Sequence, residues 1–224
     1  MITFKALAAL LTYPEAELLA ALSEVGAAID GEGLLPRRER AAIASFLAEL
    51  GESDLFDLQE RYVAFFDRSR SLSLHLFEHV HGESRDRGQA MVNLLQVYRD
   101  QGLELAANEL PDYLPVFLEY LSQRPFAEAK TNLAETSHIL RELGTRLLDK
   151  GSGYAAVFSA LLVLAGEKGL DFAGRRGRGR GGEEPEDLDA LDREWAEEPA
   201  FGCGPKPPKG REQAVIHVYR GAAQ

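Results

Sequence analysis

The sequence predicts an all-α fold, a single multi-helix domain followed by a flexible, partly disordered C-terminal tail. Three observations carry that expectation. Apolar residues recur at intervals of three and four from Phe4 to Leu164. No segment there alternates with period two between turn signals, so no strand is required. After Phe172 the composition turns abruptly to Gly and Arg, which cannot bury a core.

Phe4, Leu7, Leu10 and Leu11 mark the first helix, which Tyr13-Pro14 breaks. Leu18, Leu19, Leu22, Val25 and Ile29 mark a second, ended by Gly31 and Gly33. Pro36 sits where a helix can begin, and Ile43, Phe46, Leu47 and Leu50 form its stripe before Gly51 stops it. Ser53 is the expected cap of the next helix, with the stripe Leu55, Leu58, Tyr62 and Phe66. Met91, Leu94, Leu95 and Tyr98 form a helix that ends at Gly102. Pro111-Asp112 opens another through Leu114, Phe117, Leu118 and Leu121, with Pro115 tolerated in its first turn. Beyond Pro125, Leu133, Leu140, Leu143 and Leu147 read as one long helix ending near Gly151. Tyr154, Val157, Phe158, Leu161 and Leu162 give the last, ending at Gly169. Residues 1–171 are thus the helical domain. Residues 172–224 are expected to hold an Arg/Gly linker, an acidic amphipathic piece with Leu188, Leu191 and Trp195, and a Pro/Gly-rich end.

Composition narrows the function. The chain has 224 residues, 45% hydrophobic and 27% charged, enough for a sizeable core. Its net charge of −11 argues against a general nucleic-acid binder and suits a basic partner. Cys203 is the only cysteine, so neither an intramolecular disulfide nor a Cys-based metal cluster can form. The N-terminal residues lack the pattern of a signal peptide, and the most apolar run, Tyr154 to Ala165, is too short to span a bilayer. A cytoplasmic protein without stable membrane association is expected.

The run from Phe66 to Ala90 holds three of the five histidines among alternating charges. His75, His79 and Glu83 fall at i, i+4 and i+8, a metal-ligand spacing if one helix carries all three. An interhelical hydrogen-bonded cluster explains the same residues, so no resident metal is expected. No serine elbow, Walker loop or dinucleotide fingerprint occurs, and nothing points to catalysis. Glu83 and Arg87 are spaced for a local ion pair. Asp112 reads as an N-cap, leaving Tyr113 and Glu119 to face a cleft. Apolar anchors rimmed by carboxylates are the ingredients of a helix-in-groove peptide site.

The string Phe77-Glu78-His79-Val80-His81-Gly82-Glu83-Ser84-Arg85-Asp86-Arg87-Gly88-Gln89-Ala90-Met91, followed by Glu109 to Pro115 and Leu118-Glu119-Tyr120-Leu121, resembles the nitrate reductase molybdenum-cofactor assembly chaperones. These belong to the all-helical redox-enzyme maturation chaperones. The wider class carries a Glu-Pro-x-Asp-His-like motif. Glu109-Leu110-Pro111-Asp112-Tyr113 stands in its place, with Pro shifted and Tyr for His. The Arg/Gly tract departs from the family pattern. The resemblance implies a non-catalytic cytoplasmic protein without a cofactor of its own. Such a protein binds the N-terminus of the apo catalytic subunit of a respiratory nitrate reductase and holds it open for the molybdenum cofactor and an iron–sulfur cluster before membrane docking. Proteins of molybdenum-cofactor biosynthesis are the further partners it implies. Charge, helical phase and resemblance together place the peptide between the helix of Tyr62 and Phe66, the His75-to-Arg87 stretch and the Asp112-to-Glu119 helix. Leu72, Leu76 and Phe77 are the expected apolar contacts, and Glu78, Glu83, Asp112 and Glu119 the expected acidic ones. His79, His81, Arg87 and Tyr113 complete the surface.

Overall fold

The computed structural model describes residues 1–81, 85–105 and 109–172. Among these residues lie eleven α-helices: α1 (Ile2–Ala9), α2 (Ala16–Ala20), α3 (Leu22–Glu32), α4 (Arg37–Glu52), α5 (Leu55–Tyr62), α6 (Leu76–His81), α7 (Arg85–Asp100), α8 (Leu114–Ser122), α9 (Phe126–Glu135), α10 (Ser137–Asp149) and α11 (Ala155–Leu164). A five-residue π-helix, Val63–Asp67, continues α5, and a 3-10 turn covers Arg70–Leu72. Among the described residues no strand forms; the one extended feature is an isolated antiparallel bridge between His75 and Tyr113. The tail expectations fall on residues 173–224, outside those described.

The core forms around α11, whose side chains are all buried except Val163. A helix apolar on every side must be covered on every side, and α10, α4 and α9 do so. A second layer pairs α1 with α8 and α3. Phe4, Leu7, Leu10 and Leu11 supply the buried face of that layer, as their spacing predicts. The described residues belong to one compact unit.

Five local expectations need correction. The second predicted helix is two, because Ala21 turns to φ −93°, ψ 0°. The predicted Leu133–Leu147 helix is likewise divided at Thr136 (φ −94°, ψ 1°), whose hydroxyl donates to the Leu133 carbonyl at 2.9 Å. Gly51 does not stop α4, which runs to Glu52. Ser53 closes that helix, donating to the Glu49 carbonyl at 2.7 Å. The cap of α5 is its neighbour Asp54, whose carboxylate accepts from the Phe56 N–H at 2.8 Å. Gly33, Gly102 and Gly151 punctuate as expected, each with positive φ. The final helix ends earlier, at Leu164, and Gly166 takes the left-handed turn.

Two glycines on helices give opposite expectations. A Cβ at Gly144 in α10 would lie 2.8 Å from both Leu170 Cδ1 and Phe158 Cβ. One at Gly88 in α7 would meet open space. Gly88→Ala should therefore stabilise by up to ~1 kcal/mol through helix propensity. Gly144→Ala should destabilise by ~1–3 kcal/mol because α10 and α11 must separate. Urea denaturation of the two variants checks both signs. A third expectation concerns Glu32, whose carboxylate accepts from the backbone N–H groups of Ile2 and Thr3 at the start of α1. Burial pushes its pKa up, but hydrogen bonds from Thr3 and Ile2 outweigh that and leave it below the ordinary carboxylate value. A depressed folded-state pKa contributes stability above the unfolded value that disappears as pH falls through the folded one. Glu32→Gln should thus lose stability at neutral pH and approach wild type in acid, as pH-dependent thermal melts would read.

Candidate functional site

The site is assembled where the segment Pro111-Asp112-Tyr113 crosses the residues before α6. Leu76 N–H donates to the Asp112 carbonyl at 3.0 Å, and Leu114 N–H donates to the Leu74 carbonyl at 2.9 Å. The first amide of α6 and the first amide of α8 are thus satisfied by each other's leading segment. The Asp112 carboxylate, fully buried, adds the next cap by accepting from the Phe77 N–H at 3.2 Å. Around it stand His75 Nδ1 at 3.2 Å and Arg87 Nη2 at 3.9 Å, and Arg87 also donates to Glu78 at 3.1 Å. Pro111 is held from behind, its carbonyl accepting from the buried Tyr98 hydroxyl at 2.8 Å.

This arrangement revises several sequence expectations. Asp112 is not the cap of its own helix, since Tyr113 precedes α8; it caps α6 from the other side of the fold. Being buried, it has no face to offer a partner. His75 lies before α6 in the bridge, so His75 and His79 do not share a helical face. His79 Nε2 donates to the Ser73 carbonyl at 2.8 Å, away from Asp112. Among the described residues no group of three His, Cys, Asp or Glu is placed to hold a metal ion. Glu83 lies outside the described residues, and His81 is placed only as the last residue of α6. Arg87 reaches back to Glu78 on α6. Leu72 and Leu76 are core residues, 1% and 4% exposed, because they fill the space beneath the bridge; Phe77 is half-buried.

Beside this network runs a trough made of two adjoining hollows that share Glu109 and Tyr113. One, of about 380 Å³, is lined by Tyr13, Tyr62, Phe66, Asp67, Leu74, His75, Glu109, Leu110 and Tyr113. The other, of about 210 Å³, lies between α1 and α8 and is lined by Lys5, Ala8, Ala9, Thr12, Glu109, Tyr113, Pro115, Val116 and Glu119. Of the expected site residues, Tyr62, Phe66, Tyr113 and Glu119 therefore come together. Phe77, Glu78, His79, Arg87 and Asp112 form the supporting network instead. Tyr13, Asp67, Glu109 and Leu110 were not among the expected contacts. The exposed Tyr13 beside a helix-breaking proline was the legible signal for one of them.

The floor is aromatic and buried. Tyr62 and Phe66 meet at a tilt, 4.9 Å between ring centres, Phe66 meets Tyr154 edge-on at 5.0 Å, and Tyr154 meets Phe46 at 4.8 Å. The π-helix brings Asp67 to the mouth directly after Phe66. The Tyr62 hydroxyl donates to the Leu11 carbonyl at 2.9 Å and lies 3.0 Å from the Tyr113 hydroxyl. Burial raises both phenol pKa values, so both groups stay protonated around neutral pH. The rim is polar and acidic. Among the described residues no ion pair engages Asp67, Glu109 or Glu119. Tyr13 and Leu110, 43% and 45% exposed, add apolar surface at the mouth.

The signature of the nitrate reductase delta subunit family matches residues 33–160. The chain belongs to that family. It is 47% identical over 165 residues to the nitrate reductase molybdenum cofactor assembly chaperone NarJ of Escherichia coli (strain K12), covering 74% of this chain and 70% of that protein. It is 43% identical over 194 residues to the Probable nitrate reductase molybdenum cofactor assembly chaperone NarW of the same strain, covering 87% and 80%. Among solved structures, a candidate redox enzyme maturation protein from Archaeoglobus fulgidus superposes with a TM-score of 0.55 at 21% identity. That alignment covers 75% of this chain and 94% of the other and shows a common fold. The family's matched span includes α5, the π-helix, the His75–Tyr113 bridge and α8, but not α1, which supplies the other wall of the trough.

Asp112→Ala should cost roughly 3–5 kcal/mol, because it strips a buried carboxylate from an amide, an imidazole and a guanidinium at once. Asp112→Asn, which keeps an acceptor oxygen, should cost less. Chemical denaturation gives both values, and hydrogen exchange at Leu76 and Phe77 should quicken in the Ala variant while α11 stays protected.

Proposed function

We propose that this protein is an assembly chaperone for a nitrate reductase, binding the N-terminal segment of the apo catalytic subunit in the trough while the molybdenum cofactor and iron–sulfur cluster are inserted. It acts by binding and not by catalysis. The observation that carries the reading is the trough itself, in a chain whose relatives are named assembly chaperones. An apolar floor of buried aromatics beneath carboxylates without ion-pair partners among the described residues suits an amphipathic basic helix. Among the described residues no helix is long and apolar enough to cross a membrane.

Titration calorimetry with a synthetic peptide of the catalytic subunit's first residues tests the reading. Tyr13→Ala removes an exposed ring from the mouth and should weaken binding by roughly 1–3 kcal/mol, mainly through faster dissociation. Glu109→Lys should slow association, and its effect should shrink with added salt. Phe126→Ala removes a comparably exposed ring outside the trough and should bind like wild type. Unaltered affinity in both trough variants would place the peptide elsewhere.

A further inference from the structure

The two ends of the trough are chemically unequal. α1 and α8 lie antiparallel, since the Met1 amino group bonds the Ser122 carbonyl at one end while the Tyr113 hydroxyl reaches the Leu11 carbonyl at 3.4 Å at the other. Lys5 and Glu119 therefore stand together at the far end of the α1/α8 hollow. Asp67, His75 and Glu109 stand at the opposite end, beyond Tyr113. Lys5 is the only Lys or Arg among the residues lining either hollow, and no ion pair engages it among the described residues. Along α1, Lys5 and Ala9 are about 6 Å apart at 1.5 Å per residue, so this hollow takes about one helical turn and the adjoining hollow lengthens it.

We infer that the trough is directional: its occupant is an amphipathic helix that enters with its basic N-terminal turn against Asp67 and Glu109 and its C-terminal turn against Lys5. This inference rests on the peptide-docking reading above and adds a polarity to it. A helix carries partial positive charge on its first N–H groups and partial negative charge on its last carbonyls. The carboxylate pair therefore favours the N-terminal turn and any Lys or Arg side chains on it, and the exposed Lys5 ammonium favours the C-terminal carbonyls. The docked helix then runs antiparallel to α1 and in the direction of α8. The opposite entry sets the peptide's C-terminal carbonyls against two carboxylates that no ion pair engages among the described residues, and its basic residues against the end where Lys5 offsets Glu119. Lys5 is thus a specificity residue that acts by disfavouring the reversed helix.

Cys203 is the only cysteine, so site-directed cross-linking needs just its replacement by Ser in the full-length chain. Lys5→Cys and Asp67→Cys are introduced separately, and each thiol is mixed with the same catalytic-subunit peptide carrying at one end or the other a cysteine activated as a thiopyridyl mixed disulfide, so that exchange releases thiopyridone and needs no added oxidant. The N-terminally tagged peptide should form a disulfide with the Asp67→Cys protein at least about fivefold faster than with the Lys5→Cys protein, and the C-terminally tagged peptide should show the reverse preference. The opposite pattern, or equal rates, overturns the inference while leaving docking intact. A charge swap gives a second reading without cysteines. Replacing the peptide's N-terminal basic residue by Glu should weaken binding about threefold to tenfold. Asp67→Lys should restore that loss and Glu119→Lys should not; restoration by Glu119→Lys would overturn the polarity. A peptide with no calorimetric binding to the unaltered protein sinks the docking reading and this inference together.

Discussion

The fold around the site depends on one buried carboxylate. Asp112 has no exposed surface, and a bare carboxylate there would cost several kcal/mol. It is tolerated because three groups converge on it: the Phe77 amide, the His75 imidazole and, slightly farther off, the Arg87 guanidinium. These come from the residues before α6, from α6 itself and from α7. The carboxylate thus ties α6 and α7 to the start of α8, although 25 residues or more of sequence separate Asp112 from each partner. A hydrophobic side chain of the same volume would fill the space but leave the Phe77 amide in the first turn of α6 without its acceptor. With six residues, α6 has little helical stability of its own and needs that cap.

The same segment fixes the trough. Tyr113 follows Asp112, so the bridge that seats the carboxylate also sets the ring between the two hollows and brings its hydroxyl to Tyr62 and Leu11. His75 works in both places, bonding Asp112 with Nδ1 while its ring lies 5.4 Å from that of Tyr113 and lines the larger hollow. Behind Phe66 the aromatic column continues through Tyr154 to Phe46, so the floor rests on α11 and α4.

Most of the helical architecture was legible because apolar side chains at 3.6-residue spacing must find a core, and Gly33, Gly102 and Gly151 adopt the left-handed turns that end helices. The breaks at Ala21 and Thr136 were not, because neither carries a Pro or Gly and both follow from packing. The choice between Ser53 and Asp54 as cap was open to sequence alone, since both are good N-cap residues and only tertiary entry angle decides. The i, i+4 spacing of His75 and His79 does not put them on one helical face, because a spacing argument assumes a continuous helix and α6 begins one residue after His75. The role of Asp112 was out of reach for a different reason. Its partners His75, Phe77 and Arg87 are distant in sequence, and nothing local to Pro111-Asp112 announces them. Tyr62, Phe66, Tyr113 and Glu119 fall along one trough because aromatic and acidic residues in helical phase share a surface. Tyr13 and Asp67 were missed because they belong to a loop and to a π-turn.

A chaperone must also let go, and the trough's construction bears on that. On the docking reading, hollows of about 380 and 210 Å³ accept only a few side chains, so the apolar contact alone sustains a modest residence time. The remaining specificity comes from Asp67, Glu109, Glu119 and Lys5, charges at a solvated rim whose main effects are on encounter rate and on rejection of wrong orientations. Such an interface gathers a basic helix quickly and selects its direction without holding it deeply. Strengthening the floor at the expense of the rim would raise affinity but slow release. A protein whose task ends when its client is complete is better served by the rim.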